Sequence, residues 1–156
     1  MDRISVDLYF LKIAMVVAER STCHRHHVGA VSVRGKQLLT TGYNGAPAGM
    51  ADCLELGCLR EGIPSGERTE ICRAVHAEEN AIIQGSLHGI SIEGATIYCT
   101  LSPCRRCAKM LCNARIARFV TFNTVYGESV FADVFGEAGI EFVVVDRPAT
   151  EITVLP

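Results

Sequence analysis

The chain has 156 residues, 49% of them hydrophobic, a formal net charge of −2 and no tryptophan. That is the size of one domain with a substantial core, and the near balance of charge argues against a broad polyelectrolyte surface, so no nucleic-acid partner is expected. The apolar run from Leu8 to Ala18 is interrupted by Lys12 and too short to cross a bilayer, and no export signal is read. The expectation is therefore a single domain over 1–156 in the cytoplasm, with no membrane partner and with its eight cysteines reduced.

Within residues 5–20, Val6, Tyr9, Phe10, Ile13, Ala14, Val17 and Ala18 recur at three- and four-residue spacing, which predicts an amphipathic helix. Residues 28–33, the polar turn Arg34-Gly35-Lys36 and residues 37–43 predict a β-hairpin. Between helix and hairpin lies Cys23-His24-Arg25-His26-His27, whose histidines are expected at the surface or the rim of a substrate site. Residues 45–73 show no clean periodicity and carry Cys53, Cys58 and Cys72 among glycines and prolines. A segment of that kind inside a compact domain is functional, disordered, or held by a local device. A helix from Ala77 to about Leu87, a strand over 95–100 and a helix over 104–110, with Pro103 in its first turn, follow. A strand over 117–122, a helix over 129–137 closed by Gly139 and a strand over 140–145 complete the chain. Alternating β and α elements after the hairpin predict an α/β fold, a mixed sheet with helices on both faces.

The chemistry concentrates between His76 and Cys107. His76-Ala77-Glu78 and, further on, Pro103-Cys104-Arg105-Arg106-Cys107 offer one imidazole, two thiols and a carboxylate two residues from the imidazole. Zinc suits the three ligands His76, Cys104 and Cys107, and three protein ligands leave a position open for water, as in a catalytic site. A C-x-x-C pair alone could be a redox pair or half of a zinc ribbon, and a lone histidine a core residue. The conjunction with Glu78 and Pro103 favours catalysis, because a structural zinc has no use for an unliganded carboxylate nearby. Two helix N-termini, at Ala77 and Cys104, would face the metal and favour the thiolate. Glu79, on a different face from Glu78, is expected to be solvated or salt-bridged.

H-x-E followed by P-C-x-x-C is the general signature of zinc-dependent base deaminases. Further pieces are Ser21-Thr22-Cys23-His24-Arg25, Val28-Gly29-Ala30-Val31, residues 41–47, Cys72 through Asn80, 94–98, 103–109 and 138–140. On these the chain resembles the deoxycytidylate (dCMP) deaminases of the cytidine-deaminase superfamily. The metal motif fits the whole superfamily, and the other pieces select the nucleotide branch. The resemblance implies a three-layer αβα fold on a five-stranded mixed sheet, Zn2+ on His76, Cys104 and Cys107, and conversion of dCMP to dUMP with Glu78 as proton shuttle. It also implies that the Ala77 N–H and Ser102 carbonyl flank the pyrimidine edge and that Asn44 holds the 3′-hydroxyl. Arg25 and Tyr126 then lie near the phosphate or base. Tyr126 is followed by Gly127-Glu128 where many relatives have Pro-Asp, so its loop is expected to be less rigid.

Some relatives carry a second zinc near positions matching Cys23 and Cys53, which makes Cys23, Cys53, Cys58 and Cys72 candidates for a structural Zn2+ site. Free buried thiols and disulfides are the competing readings, and Cys99 and Cys112 are expected in the core. Resemblance to the regulated branch further implies a homo-oligomer, a hexamer, activated by dCTP with Mg2+ and opposed by dTTP. Gly42, Tyr43 and Gly45 belong to a glycine-rich stretch whose backbone could approach phosphates, or could simply turn the chain after a strand. Two other functions stay open: a deaminase of another cytosine nucleoside, nucleotide, modified pyrimidine or RNA, and a non-catalytic zinc-stabilised binding module. Against RNA stand the charge and the absence of tryptophan for stacking; against the module stands Glu78.

Overall fold

A computed structural model describes residues 3–122 and 128–148. Helix α1 (Val6–Ala18) starts where the Ser5 hydroxyl accepts the Leu8 N–H at 3.1 Å, and it buries Phe10, Leu11, Ala14 and Ala18 along one stripe. The hairpin forms from β1 (Gly29–Arg34) and β2 (Gln37–Tyr43), paired from Gly29↔Tyr43 to Arg34↔Gln37. Its turn places Gly35 and Lys36 at φ of 57° and 63°, the left-handed pair that matches strand twist in a two-residue loop.

The segment 45–73 is held by local backbone turns and by side chains that reach it from the histidine-rich tract. It contains a four-residue helix α2 (Cys53–Leu56), capped by Asp52 through the Leu54 N–H at 2.8 Å, and a 3-10 turn (Thr69–Ile71). His24 Nε2 hydrogen-bonds the Cys53 carbonyl at 2.6 Å, and Arg25 Nη1 donates to the Arg60 carbonyl at 2.6 Å, so the histidine-rich tract anchors this segment.

Helices α3 (Ala77–His88), α4 (Arg105–Asn113) and α5 (Ala132–Ala138) alternate with β3 (Thr96–Cys99), β4 (Arg118–Thr121) and β5 (Glu141–Val144). The sheet order is β2-β1-β3-β4-β5, with β1 antiparallel to β2 and β3, and β3, β4 and β5 mutually parallel. Helix α1 packs Phe10, Leu11 and Ala14 onto Val31, Val33, Tyr98 and Val120 on one face. On the other, α3, α4 and α5 bury Ala81, Ala108, Leu111 and Phe135 against Ala30, Ile97, Cys99 and Phe119. The three-layer αβα, five-stranded mixed sheet expected from the sequence is the fold found.

Two boundaries differ from expectation. Cys104 is the N-cap of α4 and not its first residue, so Pro103 lies just outside the helix, where it ends the extended approach from β3. The helix expected over 129–137 is a 3-10 turn (Glu128–Val130) followed by α5. The break falls at Phe131, whose ring is fully buried between Phe135 and Phe142 at centroid distances of 5.4 and 4.7 Å. Anchoring that ring outweighs one regular turn, since a buried phenylalanine contributes roughly 1.5–3 kcal/mol.

Candidate active site

Two close approaches bring the metal ligands together. Gly42 in β2 faces the backbone of α3: a Cβ there would collide with the Ala77 carbonyl oxygen and the Ala81 amide nitrogen. Glycine at this position therefore lets the first turn of α3 lie directly on the sheet. The preceding residue is fixed as well, because Val75 and Gly45 exchange both backbone hydrogen bonds, at 2.8 and 3.2 Å, and Asn80 Nδ2 donates to the Tyr43 carbonyl at 2.7 Å. His76 is thereby held as the N-cap of α3, and Cys104, delivered from the end of β3, as the N-cap of α4. Both helix N-termini meet beyond the carboxyl end of β3, where sites in α/β sheets form.

His76 Nδ1 lies 3.6 Å from Cys104 Sγ and 3.4 Å from Cys107 Sγ, and all three donor atoms fall within 4.8 Å of one another. Tetrahedral zinc with Zn–N of about 2.05 Å and Zn–S of about 2.3 Å sets N and S about 3.6 Å apart, so the donors already stand at the spacing the ion requires. The charges agree. A hydrogen bond from the Cys107 thiol, and then His76, hold the Cys104 thiol down to about 4, while the Cys104 hydrogen bond lifts His76 to about 9. Cys107 is pushed far upward, first by Cys104 and then by burial. One thiolate, Cys104, thus stands against the protonated Cys107 and His76, and a cation bound between them would displace the protons and favour the second thiolate. Among the described residues this is the only set of three such groups so arranged.

Glu78 is 4% exposed, and burial pushes its carboxyl up to about 7 against the pull of His76. It lines a cavity with His76, Cys104, Arg25, His26, Asn44, Ala77 and Ser102, while Cys107 lies fully buried behind them. A buried carboxyl beside an open metal position is placed to move protons rather than to bind the ion.

The remaining sequence-predicted residues divide. Arg25, Asn44, Ala77 and Ser102 all border this cavity, and Tyr126 lies outside the described residues. Asn44 is buried and already bonded twice: Oδ1 accepts the Val28 N–H at 2.9 Å and Nδ2 donates to the His26 carbonyl at 2.8 Å. One Nδ2–H is left for a ligand. Of the three histidines expected at the surface or rim, His26 borders the cavity, His24 is tied to Cys53, and His27 borders a separate depression beside Met15 and Phe122. Cys23, Cys53, Cys58 and Cys72 line the same cavity, and burial, followed by the other three thiols, raises Cys53. No three of them bring their sulfurs within 4.8 Å. Cys99 is fully buried and Cys112 packs partly buried against the core, both as expected. The N–H groups of Asn44 and Gly45, in the glycine-rich stretch, are bonded to Val28 and Val75.

Glu79 departs from a solvated position. It is 5% exposed, and its salt bridge is a 2.9 Å contact from Arg106 Nε to Oε1. Glu-x-x-Arg spacing gives no sign of this, because the partners sit on different helices. The signal that could have found it is Glu79 at the third position of a helix whose N-cap N–H needs an acceptor.

Residues 4–123 match the cytidine and deoxycytidylate deaminase zinc-binding region. The chain is 40% identical over 125 residues to the deoxycytidylate deaminase of Mycobacterium phage D29, covering 77% of this chain and 96% of that one. It is 35% identical over 141 residues to the deoxycytidylate deaminase of Schizosaccharomyces pombe, covering 89% of this chain but 44% of the yeast protein, so it spans less than half of that relative's length. Among solved structures, the dCMP deaminase of cyanophage S-TIM5 in complex with dCMP and dUMP superposes with a TM-score of 0.77 at 29% identity, covering 93% of this chain and all of that one. With the His76, Cys104 and Cys107 donors at zinc spacing around a buried Glu78, the chain belongs to the cytidine and deoxycytidylate deaminase family.

Proposed function

We propose that the protein is a cytoplasmic, zinc-dependent enzyme that hydrolyses dCMP to dUMP and ammonia, supplying dUMP for thymidylate synthesis. The observation that carries the reading is the buried Glu78 carboxyl lining one cavity with His76 and Cys104, two of three metal donors whose ligand atoms all lie within 4.8 Å of one another. Zinc bound there would supply water acidified to a pKa of about 7 at its open position. Glu78 takes a proton from the attacking water, passes it to N3 of the pyrimidine as C4 is attacked, and delivers a second to the departing ammonia. The Ala77 N–H and Ser102 carbonyl hold the pyrimidine edge, and the free Nδ2–H of Asn44 takes the 3′-hydroxyl. Arg25, with one Nη on the Arg60 carbonyl, keeps its other donors for the phosphate, beside Tyr126.

A nucleotide is favoured over a free nucleoside by the S-TIM5 relative, whose structure contains dCMP and dUMP, and by Arg25 at the cavity. The test is a panel of dCMP, deoxycytidine, CMP and cytosine, followed by ammonia release. The reading requires dCMP to have the highest kcat/KM; turnover of deoxycytidine alone would overturn the substrate and keep the chemistry.

Two further parts extend the proposal. A structural zinc on Cys23, Cys53, Cys58 and Cys72 is supported by the four thiols around one cavity. Residues 45–73 would have to close on the ion. Two zinc per chain, falling to one in Cys53→Ser, is the expected stoichiometry; one in the parent protein would refute it. A hexamer activated by dCTP with Mg2+ and inhibited by dTTP rests on the resemblance alone. It is tested by whether either triphosphate alters dCMP kinetics.

A further inference from the structure

Glu79 is a buried charge that neither faces the cavity nor joins the donor set; its side chain is 6% exposed. Oε2 accepts the backbone N–H of His76 at 2.9 Å, and Oε1 meets Arg106 Nε at 2.9 Å. The two contacts lead to different helices. His76 is the N-cap of α3 and one metal donor; Arg106 stands in the first turn of α4, between the other two donors, Cys104 and Cys107. A single carboxylate thus spans from the backbone of one donor to the turn that carries the other two.

The neighbouring arginine shows that this is a choice of partner rather than a general feature of the turn. Arg105 points away, to Asp133 on α5, with paired contacts of 2.8 and 2.7 Å. Arg106 itself is 79% exposed; its contact with Oε1 is an ion pair without hydrogen-bond alignment, and it makes no second ion pair and no hydrogen bond among the described residues. An isolated surface ion pair contributes little, but here one member is buried, and a buried carboxylate left without its cation is strongly unfavourable. The pair therefore has a reason to stay closed and to hold α3 and α4 at one separation.

We propose that Arg106 and Glu79 are positioning residues for the metal centre, locking the His76 backbone to the Cys104–Cys107 turn so that the three donors keep the spacing zinc requires. The inference rests on the zinc reading of His76, Cys104 and Cys107. Outer residues that orient metal ligands commonly matter 10- to 100-fold in metal affinity.

The experiment uses the zinc-loaded protein with Arg106→Ala, Arg106→Lys, Arg105→Ala, Glu79→Gln and the Glu79→Gln/Arg106→Ala double variant. Zinc release into excess chromogenic chelator is timed, the visible absorption of the cobalt-substituted forms is recorded, and dCMP turnover and thermal melting are measured alongside. Arg106→Ala is expected to release zinc roughly 10-fold faster or more, with a shifted cobalt spectrum and a lower kcat at unchanged KM. Arg106→Lys should recover most of each, Arg105→Ala should match the parent, and the double variant should release zinc no faster than the worse single one. Parent-like release and spectrum in Arg106→Ala would overturn the inference. So would equal loosening in Arg105→Ala, or fully additive single variants. A parent protein that holds no zinc would instead overturn the metal reading on which it rests.

Discussion

Gly42→Ala tests how the site is held to the sheet. The added Cβ collides with the Ala77 carbonyl oxygen and the Ala81 amide nitrogen, both backbone atoms of α3, so no side chain can swing aside. To restore van der Waals distance α3 must retreat from β2 by about 1 Å. Two consequences follow. Overpacking at a well-packed contact costs about 1–3 kcal/mol of stability. Because His76, Ala77 and Glu78 sit at the end of α3 that moves, while Cys104 and Cys107 sit on α4, the donor set also loses its register. A displacement of that size lowers turnover by about 100-fold. Gly85→Ala is the matched control: it crowds the far end of the same helix, where the Cβ would stand 2.8 Å from the Ile90 carbonyl oxygen, and leaves the N-terminal turn in place. Urea unfolding and dCMP turnover on zinc-loaded protein separate the two effects. Gly42→Ala should lose both stability and turnover per folded molecule, and Gly85→Ala stability alone. A Gly42→Ala enzyme with parent-like kcat would refute the argument that this contact positions the metal donors.

Asp7 accepts two bonds from Arg118, at 2.7 and 2.9 Å, and one from the Tyr98 hydroxyl at 2.9 Å, tying α1 to β3 and β4. Asp7→Asn should cost on the order of 1 kcal/mol, since the group is partly solvated. The Arg118 hydrogen bond holds the Asp7 carboxyl below its usual value near 3.8, against the opposing effect of burial. Its contribution is therefore complete above that value and lost as pH falls through the lower folded value. The gap in melting temperature between the parent and Asp7→Asn should narrow as the pH falls from about 6 to about 3 and on below it; a constant gap would refute the assignment. Phe135→Ala removes a fully buried ring packed on Phe119 and Phe131 at 5.8 and 5.4 Å. It should cost about 3–5 kcal/mol in urea unfolding, and a loss below about 1 kcal/mol would mean that the site collapses to fill the cavity.

The metal donors were legible because their chemistry is local: H-x-E opens one helix, P-C-x-x-C opens another, and alternating strands and helices fix where the two meet. The hairpin was legible from its turn, and α1 from its stripe. The segment 45–73 was not, since α2 is four residues long with Leu54 and Leu56 exposed, too short for a periodic pattern, and it is held by His24 and Arg25 from far along the chain. Gly42 was legible as part of the second hairpin strand and of a glycine-rich stretch, and it does lie inside β2; its close packing against α3 was not legible, because that depends on where a later helix lands. The Glu79 bridge was hidden for a similar reason: which buried carboxylate meets which arginine depends on the separation of two helices, and spacing along one chain does not encode it.

The most direct measurement is zinc content and dCMP turnover in Glu78→Gln, set beside His76→Ala and Cys104→Ala. Gln keeps the shape of Glu78 and one hydrogen-bonding oxygen but cannot carry a proton. Glu78→Gln should retain the zinc at His76, Cys104 and Cys107 and release no measurable ammonia from dCMP, whereas both donor variants should lose the site's metal and activity together. A Glu78→Gln protein that deaminates dCMP at the parent rate would contradict the account, because the rest of the H-x-E and P-C-x-x-C motif is committed to holding the metal and leaves Glu78 as its proton shuttle.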